Sequence, residues 1–242
     1  MNILSIGNSF SEDAHRYLYE VAKADKFKIT AVNLNIGGCS MSMHYKNMLG
    51  NKKVYNLMFN GIQTGFLTSI EEGLLSRNYD DWDIITIQQV SHHSVNYETF
   101  QPYLTEVIAF LKKYSPKAKI YLQQTWAYEK ESKRLTEELG YSKPEEMFSD
   151  IKGAYEKAAK DINADGVIRS GELFMRMLDA GIEKVHRDTF HASYGLGRYA
   201  LGLLWYKTLT GNDITDIELN SFDEDVNPDE IRIVKKCINE MF

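Results

Sequence analysis

The stretch ILSIGNSF, residues 3–10, changes character in the space of two residues. Its apolar first half is typical of a short buried strand, and Gly7-Asn8 interrupts that strand abruptly. Ser9 follows at once, and the Ser-Glu-Asp sequence of residues 11–13 offers a capping residue and acidic charges that favour a helix N-terminus. The first strand therefore leads directly to a serine at the mouth of a strand-to-helix turn.

Strands and amphipathic helices alternate along the rest of the chain. Apolar runs predict four more strands, at residues 28–34, 84–88, 119–123 and 166–168. Apolar residues at helical spacing predict the helices between them, including a long one over about 194–210. Strands that alternate with helices of this length form a parallel sheet with helices on both faces. We therefore expect an α/β fold with five parallel strands in one sheet.

Unusual polar clusters fall where the predicted strands end. The first four strands are followed in turn by the segments GNS, GG, QQVSHHS and QQTW. In an open parallel sheet the functional site lies beyond the carboxyl ends of the strands. We therefore expect these four clusters to meet at one edge of the sheet and to form the site.

Two segments fit this alternation less well, although residues 1–242 are expected to form one domain. The segment 52–70 has an Asn60-Gly61 pair between apolar runs, which is a strong hairpin signal. We interpret it as an insertion, either a plain hairpin or a lid over the site. In the tail, a capping asparagine precedes Pro228, and an apolar face predicts a closing helix over 228–241.

Composition disfavours several kinds of partner. The net charge is −6 and lysine pairs are the largest basic clusters, so no nucleic-acid partner is expected. No apolar run approaches the roughly 20 residues that span a bilayer, so no membrane partner is expected. Cys39 and Cys237 fit a reduced pair, although a disulfide between them is not excluded. Since no leader precedes the first strand, we expect a cytoplasmic protein, or a secreted one whose leader was removed.

A serine hydroxyl is a poor nucleophile near neutral pH unless a positioned base removes its proton. The segment RDTFH places Asp188 and His191 three residues apart, just before the long helix. In that position Asp188 can orient His191 while the other ring nitrogen faces Ser9. The competing interpretation is structural: His191 caps the helix, and Asp188 pairs with Arg187 or Arg198.

These motifs, in this order, resemble the sequence blocks of the SGNH, or GDSL-like, hydrolase superfamily. ILSIGNSFS is similar to its first block, with Asn8 where many members have aspartate, NIGG to the second, and RDTFH to the closing Asp-x-x-His block. WDIITIQQVSHHS, QTWAY and GLLWYKTLTG resemble a bacterial branch classed only as a domain of unknown function. The resemblance covers residues 2–211 and implies a three-layer α/β/α sandwich with a flavodoxin-like sheet.

The resemblance also implies a mechanism that needs no cofactor. Ser9, His191 and Asp188 would form a triad that hydrolyses esters, with Ser9 acylated and His191 carrying the proton. The backbone N–H groups of Ser9 and Gly38 would hold the developing oxyanion. The substrate implied is a small molecule or a carbohydrate ester.

One block departs from the family pattern. The third block usually ends in Gly-x-Asn-Asp, whose asparagine completes the oxyanion hole, but the corresponding segment here reads QQVSHH. Gln89 carries an amide that can substitute for the missing one. Ser91 lies nearer the expected position but offers only a hydroxyl. We prefer Gln89 as the oxyanion donor.

The other polar residues at the strand ends give weaker signals. Adjacent residues on a strand point to opposite faces, so His92 and His93 can bind one metal ion only from an irregular loop. No HExxH motif or carboxylate-rich spacing accompanies them, and we predict no metal site. Instead, His92, Gln124 and Trp126 are predicted to bind substrate, although a structural hydrogen bond is an equally good interpretation of Gln124.

Two functions from different classes fit these observations. The first is a serine esterase that removes a small acyl group, such as acetyl, from a carbohydrate or a similar polar substrate. The second is a catalytically inactive domain on the same scaffold, whose GNS turn binds a sugar hydroxyl or an anion through backbone N–H groups. The altered third block favours the second function, and the presence of Ser9, Asp188 and His191 together favours the first. The sequence does not indicate the oligomeric state.

Overall fold

The computed structural model describes residues 1–78 and 81–242. Within these residues, seven strands form one sheet: β1 Asn2–Gly7, β2 Thr30–Asn35, β3 Tyr55–Phe59, β4 Ile62–Thr68, β5 Ile84–Ile87, β6 Lys119–Gln123 and β7 Gly166–Ile168. Their order across the sheet is β4-β3-β2-β1-β5-β6-β7. The last five strands of that order are parallel, which confirms the predicted parallel sheet. When only these five parallel strands are numbered in chain order, their order across the sheet is 2-1-3-4-5, which is the flavodoxin-like order.

The sheet has seven strands rather than five because the hairpin of β3 and β4 joins it. β3 pairs antiparallel with β2 and extends the sheet beyond its last parallel strand. The turn consists of Asn60 and Gly61, whose φ angles of 50° and 81° are those that a two-residue hairpin turn requires. A Cβ on Gly61 would lie 2.6 Å from the carbonyl oxygen of Arg16, so only glycine fits there. The expected strand number was wrong because the hairpin was interpreted as an insertion outside the sheet.

Helices flank the sheet on both faces and make the fold a three-layer sandwich. In the described residues they are α1 Ser9–His15, α2 Leu18–Ala24, α3 Met41–Leu49, α4 Ile70–Leu75, α5 Tyr103–Tyr114, α6 Pro144–Asp161, α7 Ser170–Asp179, α8 Leu196–Thr210 and α9 Pro228–Asn239. α3, α4 and α5 pack together, and α1, α2, α8 and α9 form another group. None of these helices is both long enough and apolar enough to cross a bilayer.

The two helices nearest the chain end have clear start and stop signals. α8 ends at Gly211, whose φ of 75° is the left-handed conformation that favours glycine after a helix. α9 begins at Pro228, and the side chain of Asn227 caps it by accepting a hydrogen bond from the Asp229 N–H. Both helices lie within two residues of the limits that the sequence patterns predict, which is the usual uncertainty of helix ends.

Two histidines lie in the interior of the sandwich. The Nε2 atom of His15 lies 2.6 Å from the Ser5 hydroxyl, and the Nδ1 atom of His44 lies 2.9 Å from the Tyr55 hydroxyl. Both side chains are fully buried, and burial lowers the pKa of each to about 3. Both are therefore neutral in the folded protein throughout the mildly acidic range.

We expect these histidines to make the folded state unstable in acid. The unfolded chain protonates each of them near pH 6.5, whereas the folded state does so only near pH 3. Between these limits the unfolded state binds more protons, so the two residues lower the free energy of unfolding by about 3 kcal/mol per pH unit as the pH falls. Urea unfolding between pH 6 and pH 4.5 measures this slope. The variant His44→Gln should lose about half of this contribution, and an unchanged slope would contradict the account.

Candidate active site

Ser9 is the first residue of α1, and only Asn8 separates it from the end of β1. The turn before it is tight, because a Cβ on Gly7 would lie only 2.5 Å from the Ser11 hydroxyl. Asn8 caps α1 with its side-chain oxygen, and its Nδ2 donates to the Cys39 carbonyl at 3.1 Å. This second bond ties the loop after β2 to the turn. Ser9 is thus held in a fixed position with its side chain partly exposed.

His191 and Asp188 lie in the segment between α7 and α8, and the structure brings both to Ser9. The Nε2 atom of His191 lies 2.9 Å from Ser9 Oγ, and its Nδ1 lies 2.8 Å from Asp188 Oδ2. Burial raises the pKa of Asp188, but hydrogen bonds from the His191 ring and backbone outweigh it, so the pKa lies below its ordinary value. Asp188 is therefore ionised at neutral pH. A hydroxyl, an imidazole and a carboxylate in this order can transfer the hydroxyl proton to the ring.

Asp13, one turn after Ser9 in α1, fastens this helix to the segment that carries the histidine. Its carboxylate is fully buried. It accepts hydrogen bonds from Arg187 Nη1 at 2.9 and 3.1 Å, from Arg198 Nε at 2.8 Å and from the Ala192 N–H at 3.0 Å. A buried carboxylate with two arginine partners and a backbone donor holds the two segments at a fixed separation. The sequence patterns gave no sign of this network.

The network also bears on the structural contacts that were considered for the segment RDTFH. Both neighbouring arginines pair with Asp13, and neither forms an ion pair with Asp188 within the described ranges. The His191 ring binds Ser9 and does not cap α8, whose N-cap position is occupied by Gly195. The helix cap and the arginine pairs that the structural interpretation predicts for His191 and Asp188 are therefore not formed in the described residues.

Gly38 lies in the loop after β2 and faces the same cavity as Ser9. Its φ of 66° is in the left-handed region, where glycine is favoured. No atom lies within 4 Å of a Cβ built at this position, so the backbone is open to a ligand. No hydrogen bond among the described residues uses the Gly38 N–H. This group is therefore available as a donor.

Gln89 does not reach the cavity, so the prediction that its amide completes an oxyanion hole is wrong. Its side chain is fully buried. Its oxygen accepts hydrogen bonds from the N–H groups of Met41 and Val90, at 2.8 and 2.9 Å, and its nitrogen donates to the Thr99 carbonyl at 2.9 Å. Every polar atom of the amide thus serves to fasten the loop after β5 to its neighbours.

Ser91 and His92 do line the cavity. The Ser91 hydroxyl lies 2.7 Å from the hydroxyl of Tyr128, so its orientation is fixed. Burial, and then the neighbouring His93, lower the pKa of His92, so its ring is neutral at pH 7. The part of the chain that the structure describes has no cluster of three or more histidine, cysteine, aspartate or glutamate side chains that could hold a metal ion.

Gln124 and Trp126 lie behind the cavity, so the prediction that they contact substrate is wrong. The Gln124 oxygen accepts a hydrogen bond from the Glu172 N–H at 3.2 Å, which is the structural role that the sequence left open. Trp126 is fully buried. Its Nε1 donates to the Phe190 carbonyl at 2.7 Å, and its ring stacks on Phe10 with centroids 4.0 Å apart. Both side chains are buried, and neither lines the cavity.

The cavity in front of Ser9 has a volume of about 370 Å³. It is lined by residues that follow three strands, by the first residue of a π-helical turn at Arg134–Glu138 and by the segment between α7 and α8: Asn8, Ser9, Phe10, Gly37, Gly38, Val90, Ser91, His92, Arg134, Phe190 and His191. Sequence patterns did not point to Arg134 or Phe190, since nothing in their local sequence marks them. Within the described ranges, the β3–β4 hairpin contributes none of the lining residues.

Comparison with known proteins identifies the family. A crystal structure of a DUF4886 family protein from Bacteroides uniformis ATCC 8492 superposes with a TM-score of 0.91 at 26% identity, covering 99% of this chain and 93% of that one. A GDSL-like lipase from Bacteroides thetaiotaomicron VPI-5482 has a TM-score of 0.53 at 13% identity, covering 87% and 88% of the two chains. A mutant of Axe2, an acetyl-xylooligosaccharide esterase from Geobacillus stearmophilus, has a TM-score of 0.54 at 14% identity, covering 88% and 94%.

The two esterase-like structures show the shared fold, which is that of the SGNH, or GDSL-like, hydrolases. No curated protein shows significant sequence similarity to the chain. The model of one family, described as "Domain of unknown function (DUF4886)", matches residues 2–240. The chain is therefore a member of the DUF4886 family.

Proposed function

We propose that this protein is a serine esterase in which Ser9 is the nucleophile, His191 the general base and Asp188 the residue that orients the imidazole. The hydrogen-bonded chain from Ser9 Oγ through His191 to Asp188 carries the proposal. A larger cavity, of about 890 Å³, lies beside α9, but no serine, cysteine or histidine occurs among the described residues that line it. We therefore place the reaction in the smaller cavity.

In the proposed reaction, the Nε2 atom of His191 takes the proton of Ser9 Oγ as that oxygen bonds to the ester carbonyl carbon. The N–H groups of Ser9 and Gly38 are the donors for the negative charge that develops on the carbonyl oxygen. His191 then passes its proton to the departing alcohol, and the acyl group stays on Ser9. Water, deprotonated by the same ring, attacks the acyl carbon; the bond to Ser9 Oγ breaks, the acid leaves, and His191 returns the proton to Ser9 Oγ. The ionised Asp188 stabilises the imidazolium in both halves.

The size of the cavity supports a small acyl group. Ligand pockets usually measure about 300–1,000 Å³, and the cavity at Ser9 is near the lower limit at about 370 Å³. Axe2, which shares the fold, is described as an acetyl-xylooligosaccharide esterase. We therefore propose an acetyl ester of a carbohydrate, or of a similar polar small molecule, as the substrate class.

Hydrolysis of p-nitrophenyl acetate tests the esterase function. We expect turnover by the purified protein, and we expect one equivalent of a serine-directed fluorophosphonate probe to abolish it, because the probe occupies the nucleophile. An unrelated protein purified in the same way, such as catalase, is the control for contaminating esterases. A protein that neither turns over the ester nor takes up the probe would not be an esterase.

One observation favours the second candidate function, a catalytically inactive domain that binds a sugar or an anion. Gln89 is directed away from the cavity, so the only side-chain amide among the described lining residues is that of Asn8. The NH₂ group of Asn8 donates to the Cys39 carbonyl. It therefore does not take the place of the asparagine that usually completes the oxyanion hole. A binding domain should stay unlabelled by the fluorophosphonate probe, so the same experiment separates the two functions.

A further inference from the structure

Arg134 lies at the edge of the candidate active site. Its guanidinium lies 4.2 Å from the centroid of the Phe190 ring, and the Phe190 ring in turn lies 4.0 Å from the His191 ring. Arg134 lines the same cavity as Ser9. Burial raises the pKa of Tyr128, and the nearby charge of Arg134 opposes part of that rise. A fixed positive charge is thus next to the groups that would carry out the reaction.

Arg134 differs from the other arginines in its partners. The chain has eight arginines, and within residues 1–78 and 81–242 the other seven each pair with a carboxylate. No ion pair among these residues includes Arg134. No aspartate or glutamate is among the described residues that line the cavity with Arg134. An arginine held by an aromatic ring and left unpaired at a cavity is suited to bind an anion.

We propose that Arg134 binds a carboxylate of the substrate, so that the ester hydrolysed here belongs to an acidic molecule, such as an acylated acidic sugar. This inference rests on the proposed esterase function and adds the charge of its substrate. The planar guanidinium can form two parallel hydrogen bonds with a carboxylate, and the contact with Phe190 orients it before the substrate arrives. Because the protein carries a net charge of −6, a local cation is needed to attract such a substrate.

Matched pairs of esters test this proposal. In the first pair, 3-acetoxybenzoate and 3-acetoxybenzamide, the leaving group carries a carboxylate or its neutral amide. The second pair is the 4-nitrophenyl monoester of adipic acid and its carboxamide. In this pair the acyl group carries the carboxylate or its neutral amide. The preference is the ratio of kcat/KM for the acid to kcat/KM for the amide. A loss of folded protein cancels in this ratio, so the ratio reports binding of the charge alone.

We expect the wild-type preference to be on the order of 10-fold to 100-fold in at least one pair, the range for a charge-assisted hydrogen bond. Arg134→Gln should reduce it to about 1 while turnover of the neutral esters persists, and Arg134→Lys should restore part of it. Lys133→Gln is the matched control, because it removes the same charge from the adjacent residue, which does not line the cavity. This variant should keep the wild-type preference.

Two results would overturn the inference in different ways. Turnover of the neutral esters with no preference for the acid in either pair, or a preference that Arg134→Gln leaves unchanged, would disprove the role of Arg134 and leave the esterase function standing. No turnover of any of the four esters, together with no labelling by a fluorophosphonate, would disprove the esterase function and this inference with it.

Discussion

Replacing Ser9 with alanine is expected to lower kcat/KM for p-nitrophenyl acetate by about 10⁴-fold or more, because the loss of a serine nucleophile has effects of that size in serine hydrolases. Stability should change little. The Ser9 side chain is only partly buried, and its hydroxyl bonds to His191 alone among the described side chains. The helix cap is supplied by Asn8, which the substitution leaves in place. Initial rates and thermal unfolding of the two proteins measure both quantities.

Ser11→Ala is the matched control for this experiment. Ser11 is in the same turn, but its hydroxyl oxygen lies 2.8 Å from the Asn8 carbonyl oxygen and 3.0 Å from Asn33 Oδ1, which share its one proton, and it makes no bond to His191. This variant should lose stability, by about 1 kcal/mol or more for buried hydrogen bonds, and should keep most of its turnover. If Ser9→Ala and the wild type hydrolysed the ester equally fast, Ser9 would not be the nucleophile.

Replacing Asp13 is expected to have the second-largest effect, although Asp13 does not touch the cavity. Asp13→Ala leaves the largely buried Arg187 without its counter-charge and Arg198 with only its longer ion pair to Asp223, which should cost about 3–5 kcal/mol of unfolding free energy. It also releases the segment that carries His191 from α1. A displacement of about 1 Å at a reacting group can cost roughly 10²-fold in rate, so we expect a loss of that order in kcat.

A milder variant separates the effect on the site from the effect on the fold. Asp13→Asn keeps the shape of the side chain, and we expect it to stay folded at low temperature with a reduced kcat and a nearly unchanged KM. If Asp13 acts by positioning His191, adding Asp13→Asn to a His191→Ala variant should cause no further loss of kcat. Independent, multiplicative losses in the double variant would show that Asp13 has only a general structural role.

The parallel sheet and the convergence of distant motifs were predictable because both depend on simple patterns. Residues 84–87 are three isoleucines and Thr86, close to the continuous apolar run that is typical of an interior parallel strand, and the structure buries all four. The carboxyl ends of parallel strands meet at one edge whatever the details of packing. This rule alone brings Ser9 and Gly38 together, and the position of the segment RDTFH after the last strand adds His191.

The details of the site were not predictable because they depend on partners far away in the sequence. Gln89 appeared suited to an oxyanion hole, but its amide bonds to Met41 and Thr99, from elements that no local pattern links to it. Asp13 looks like an ordinary acidic residue in the first turns of a helix, and only the folded chain shows that two arginines enclose it. Arg134 is one basic residue among 28, and only its contact with Phe190 distinguishes it.

The location of a covalent label tests the central claim most directly. After reaction with a fluorophosphonate, peptide mass mapping should find one phosphonyl group per chain, on Ser9, and labelling should be slower by orders of magnitude in the His191→Ala variant, since the hydroxyl then lacks its base. A label on another residue, such as Ser91 in the same cavity, or no label on a protein that hydrolyses esters, would contradict the account.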